Sequence, residues 1–86
     1  MAVYKECLTN LTEEEVYCAE MCESIIAYYG GLGGYADKQY LTQYRVSLGD
    51  KRVEEIYHTL NNYIYDHYEV RYVGDGYNAL VKKEAC

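Results

Sequence analysis

Thr12 and Glu15 frame the strongest structural signal in the chain. A threonine followed three residues later by glutamate is a capping box, in which each side chain satisfies a backbone N–H at a helix start. Leu11 and Val16 sit at the positions of a hydrophobic staple. Glu13, Glu14 and Glu15 suit the positive end of the helix dipole. Cys18, Met21, Cys22, Ile25 and Tyr29 then recur at helical spacing, which predicts a helix over 12–30 with that stripe facing the core. Glu13, Glu20 and Glu23 are expected on the opposite side. Gly30 or Gly31 stops the helix.

A glycine-rich segment over 30–36, "GGLGGYA", follows. A second helix is expected over 37–48, capped by Asp37, with Leu41, Tyr44 and Leu48 inside and Gly49 at its end. Asp50 is placed to cap a third helix over 51–67, whose core face is Val53, Ile56, Tyr57, Leu60 and Ile64. Alternation in Val70 and Tyr72, and then in Tyr77, Ala79 and Val81, reads as a hairpin over 69–82 turning at Asp75-Gly76. "AVYKECL" near the start is a candidate edge strand. The fold class is α+β: three helices followed by a β-hairpin, in one small domain over 1–86.

Phe, Trp and Pro are absent, and there are thirteen tyrosines among 86 residues. Tyrosine must supply the aromatic core, with hydroxyls that need water or a partner. So many tyrosines also suggest surface anchors, and Tyr28, Tyr29 and Tyr35 flank the glycine segment. Net charge is −6 and uneven, with one lysine against six glutamates before residue 37. That balance is wrong for nonspecific binding to phosphate backbones. It suits solubility, a basic protein partner, or imitation of nucleic acid. The first residues have no apolar core of a signal peptide, and no apolar run reaches membrane-spanning length. A cytoplasmic protein without membrane contact is expected.

Four cysteines, Cys7, Cys18, Cys22 and Cys86, leave three readings open: a zinc site, disulfides, or core and free thiols. Cys18 and Cys22 lie one helical turn apart, but the spacing is not that of a zinc knuckle, so no metal or other cofactor is expected. "YCAEMCESIIAYYGG" resembles the helix that opens papain-like peptidases of the bacteriocin-processing type. There, a cysteine starts a helix ending in Tyr-Tyr-Gly. Cys18 departs from that pattern by lying inside the helix, away from the end whose dipole activates a thiol. His58 and His67 are the only histidines, and no enzyme is expected. "GGLGG" is unlike a phosphate loop, because it follows a helix C-terminus and is expected to stop short of the next helix. It reads as a mobile connector.

Helix, short turn, helix and hairpin resemble in order the winged-helix proteins. That likeness implies a recognition helix beginning at Lys51 and Arg52, and a wing carrying Arg71, Lys82 and Lys83. "YLTQYRVSLGDKRVEEIY" with the later "GYNALV" resembles small uncharacterised phage proteins of Gram-positive bacteria. This second likeness implies a mobile-element origin, a setting in which small acidic domains inhibit host defence nucleases, CRISPR effectors among them. The leading expectation is a non-enzymatic inhibitor that occupies the basic nucleic-acid-binding surface of a host protein. It would use Glu13, Glu20 and Glu23 for charge and Tyr28, Tyr29 and Tyr35 for apolar contact. The alternatives are a winged-helix DNA-binding regulator and an oligomer that sequesters a nucleotide. A second copy of the chain is a further candidate partner.

Overall fold

A computed structural model describes residues 3–83, so Cys86 lies outside the described residues. The elements are α1 (Tyr4–Cys7), α2 (Glu13–Tyr29), α3 (34–48), α4 (Asp50–His67), β1 (Tyr68–Gly74) and β2 (Tyr77–Lys82). The architecture is α+β, mostly helical, ending in a two-stranded antiparallel sheet.

Both halves of the capping box form. Thr12 N–H donates to Glu15 Oε1 at 2.9 Å, and Glu15 N–H donates to Thr12 Oγ1 at 3.3 Å. Gly30 ends α2 in the left-handed region at φ 73°, its N–H reaching the Ile26 carbonyl. α2 is buried on two sides, not one. Cys18, Cys22 and Ile25 share the core with Val53, Ile56 and Leu60 of α4. Ala19, Glu23, Ile26 and Ala27 are covered on the flank, where α1 and β2 pack.

The start of the chain is not an edge strand. Tyr4–Cys7 forms one helical turn, and Val3 and Tyr4 are buried. Apolar burial supplies the reason, since both side chains enter the main core. The Glu6 carboxylate fastens this turn by accepting the hydroxyls of Tyr63 at 2.7 Å and Tyr68 at 2.5 Å.

The glycine segment is shorter than expected. α3 begins at Gly34, with Gly33 before it in extended backbone, so the connector spans only 30–33. Leu32 N–H donates to Tyr57 Oη at 2.8 Å, which fastens the middle of the connector to α4. Asp37 is therefore inside the helix and does not cap it; its carboxylate accepts from Arg45 Nε at 2.6 Å. Asp37–Leu41 forms a π turn. The Thr42 hydroxyl donates to the Lys38 carbonyl at 2.9 Å, a side-chain bond of the kind that accompanies such distortions.

Gly49 alone joins α3 to α4, at φ 89° and ψ 149°, a conformation that favours glycine. Asp50 is the first residue of α4 and makes no side-chain capping bond. It turns instead toward Arg45, whose guanidinium contacts Asp37, Glu54 at 2.7 Å and Asp50 at 3.6 Å. One arginine thus straps the two helices together across the single-residue joint.

Asp75 and Gly76 carry positive φ of 54° and 77°, as the hairpin turn requires. Val70 pairs with Leu80 and Tyr72 with Asn78, so these share a face with buried Tyr68. Ala79 and Val81 lie on the other face, opposite Arg71 and Glu69. The core residue of β2 is Leu80, one position out of step with the alternation expected from sequence.

Candidate protein-docking face

One continuous stripe of α2 faces outward: Glu13, Tyr17, Glu20, Ser24 and Tyr28, at helical spacings of four, three, four and four. All five are exposed, Tyr17 and Tyr28 by 51% and 52%. Glu14 is exposed beside Glu13. Tyr17 Oη donates to Glu13 Oε1 at 3.3 Å, so the ring is held against the acidic end of the helix. Glu13, Glu14 and Tyr17 line a groove of ≈ 440 Å³ with Gln43 and Tyr44 of α3. Among the described residues, Glu13, Glu14 and Glu20 have no ion-pair partner. Glu15, between them in sequence, is held by Arg52, and the Thr12 backbone N–H of the capping box, with Arg52 second, lowers its carboxyl below the usual range.

Glu23 does not belong to this face. It is buried, and its Oε1 accepts the Tyr4 N–H at 3.0 Å. Burial raises its carboxyl above the usual range. Helical spacing puts it opposite one buried stripe, whereas α1 covers the flank on which it lies. Its near neighbour Glu20 stays exposed and accepts from Tyr4 Oη at 3.4 Å.

The tyrosine set divides. Tyr28 and Tyr29 line a cleft of ≈ 260 Å³ with Met21, Ser24, Ile25 and Tyr40. Tyr29 and Tyr40 hydroxyls meet at 2.8 Å, with ring centroids 5.8 Å apart. Tyr35 is exposed on the first turn of α3 and does not line this cleft. Tyr17 and Gln43, which the sequence reading did not single out, complete the acidic groove. The four-residue spacing of Glu13 and Tyr17 was the available signal.

The two arginines of the winged-helix reading are engaged, and its Lys51 and Lys82 are exposed. Arg52 is bonded to Glu15, and Arg71 to Glu69. Lys51 is exposed, next to Asp50 and a turn from Glu54 and Glu55. Lys82 is exposed at the end of β2. The joint between the two helices is one residue, where a helix-turn-helix uses a turn of three or four.

Cys18 and Cys22 are fully buried free cysteines, and the hydrogen bond they share lowers the Cys18 thiol and, together with burial, pushes the Cys22 thiol up. Cys7 is half-buried, and burial raises it too. Among the described residues, no group of three or more His, Cys, Asp or Glu side chains is placed to hold a metal ion. His58 Nε2 lies 3.1 Å from Glu54, and His67 stacks on Tyr63. No described helix is long and apolar enough to cross a membrane.

Comparison with protein families, with characterised proteins and with solved structures finds no match.

Proposed function

We propose that this protein is a non-enzymatic inhibitor that docks the outer stripe of α2 onto a basic, nucleic-acid-binding surface of a partner protein. The observation that carries the reading is the segregation of charge. The three arginines are all tied to carboxylates within the fold, while Glu13, Glu14 and Glu20 project from one helix face unneutralised. Tyr17 and Tyr28 lie on the same stripe and supply the large, rigid aromatic contacts that anchor interfaces. A carboxylate array with aromatic neighbours meets a basic groove as a phosphate backbone would, by charge complementarity that speeds and orients encounter. The phage-like segments favour a host defence nuclease, such as a CRISPR effector, as the class of partner.

The test is a competition assay. A purified RNA-guided nuclease is incubated with the protein, and guide or target loading is followed by gel shift at several salt concentrations. Wild-type protein should block loading, less so at high salt, and E13K/E14K/E20K should not. Equal blocking by both proteins would remove the acidic stripe from the mechanism. No effect of wild type on a panel of such nucleases would reject the partner class.

A further inference from the structure

A two-stranded sheet leaves both outer edges without strand partners, and such a ribbon is marginal by itself. The edges differ. β2 lies against α2, ties Asn78 Nδ2 to the Ala27 carbonyl at 3.2 Å and ends in Lys82. β1, Tyr-Glu-Val-Arg-Tyr-Val-Gly, has no lysine and no proline, the residues that commonly blunt an edge. It also exposes Val70, Tyr72 and Val73.

The hydrogen-bond phase shows which groups face outward. His67 carbonyl accepts the Lys83 N–H at 2.8 Å, one step beyond the Tyr68–Lys82 pair. Antiparallel bonding alternates along a strand. Glu69 and Arg71 therefore turn their backbone groups toward β2, and Val70 and Tyr72 turn theirs to the open edge. The Tyr68 N–H is used by the Ile64 carbonyl, but its own carbonyl points outward as well.

We infer that β1 pairs antiparallel with β1 of a second copy about a twofold axis at Val70, making a continuous four-stranded sheet. In that register, Glu69 of each copy faces Arg71 of the other on the outer face. Val70 meets Val70, and Tyr72 meets Tyr68, on the inner face. The Val70 backbones exchange two hydrogen bonds, and each Tyr72 N–H meets the opposing Tyr68 carbonyl. A twofold contact requires a surface complementary to itself. Glu-Val-Arg centred on Val70 meets this requirement: shifting the axis one residue either way puts Glu69 or Arg71 opposite its own like-charged copy. The axis also centres the regular part of the strand, Tyr68 to Tyr72, and the register shift begins only between Tyr72 and Gly74.

Sedimentation velocity over a concentration series of the full chain tests the inference. Wild type should pass from one to two chain masses. E69R and R71E alone should each weaken association about ten- to hundredfold, since both cross-strand pairs change from attraction to repulsion. An equimolar mixture of E69R with R71E should form a dimer again, because every cross-strand pair is then opposite in charge. Amide exchange at Val70 and Tyr72 should slow as concentration rises, and exchange at Arg71 should not change. Circular dichroism of each variant confirms that the monomer is folded. A monomer at all concentrations overturns the inference and leaves the edge to a strand of another protein. A dimer indifferent to both reversals, or a mixture that stays monomeric, overturns the register.

Discussion

Removing one oxygen from Tyr57 should loosen the connector between α2 and α3 without disturbing the core around it. Tyr57 is buried, and its ring belongs to the main cluster. Its hydroxyl accepts the Leu32 N–H at 2.8 Å, and Leu32 is half-buried. Tyr57→Phe keeps the ring and its packing. It removes only the acceptor, and leaves a partly buried backbone donor that water reaches poorly. Losing such a bond costs about 1–2 kcal/mol, the upper part of the range applying if no water replaces the hydroxyl. At roughly 4–8 °C per kcal/mol for a domain of this size, the melting temperature should fall by about 4–16 °C. Amide exchange locates the effect: Leu32 should lose about tenfold in protection for each 1.4 kcal/mol, while Ile56 and Leu60 on α4 lose only what global destabilisation imposes. A melting temperature unchanged within about 2 °C, with Leu32 exchange also unchanged, would refute the reasoning, since the hydroxyl would then contribute nothing net to the folded state.

Glu23→Gln keeps an acceptor for the Tyr4 N–H and removes a charge that burial disfavours. The folded carboxyl titrates above its unfolded range, so the wild type loses stability as pH rises from about 4.3 through the folded value. The variant's advantage in thermal melts should therefore grow from acid to neutral pH, and a gap that widens toward acid would contradict this. Arg45→Met leaves Asp37, Asp50 and Glu54 facing one another without their cation. Urea unfolding should show a loss of about 2 kcal/mol, discounted for the exposed Glu54, and narrowing with added salt. Gly30→Ala places a Cβ at φ 73° and should cost about 1 kcal/mol, whereas Gly33→Ala, in extended backbone with open space around it, should stay within about 0.5 kcal/mol of wild type. Equal effects at the two glycines in chemical denaturation would remove the conformational argument.

Local signals were readable and long-range ones were not. The capping box at Thr12 and Glu15, the stripe from Val53 to Ile64, and the Asp75-Gly76 turn each act within a few residues, and each formed where the sequence placed it. Asp37 and Asp50 look like caps, yet the Arg45 guanidinium draws both toward itself. α3 starts earlier than Asp37 and includes Ala36, which is buried. Leu80 rather than Ala79 faces inward because the register is set by the bulge near Gly74. Of the acidic face, Glu13 and Glu20 were legible from helical spacing. Glu23 was misplaced because its cover, the turn at Tyr4, comes from nineteen positions away in the chain.

That same turn imposes an order of events during synthesis. The hydroxyls that clamp Glu6 belong to Tyr63 and Tyr68, 57 and 62 positions after it in the chain. At ribosomal rates of about 5–20 residues per second, roughly 3–12 seconds pass before those partners are even polymerised. During that interval α2 can form from its own cap and Tyr4 can reach Glu23, but the Glu6 clamp stays open. The Glu6 clamp is then a closing step, and a nascent chain stalled before Tyr63 holds α1 only by its contacts with α2.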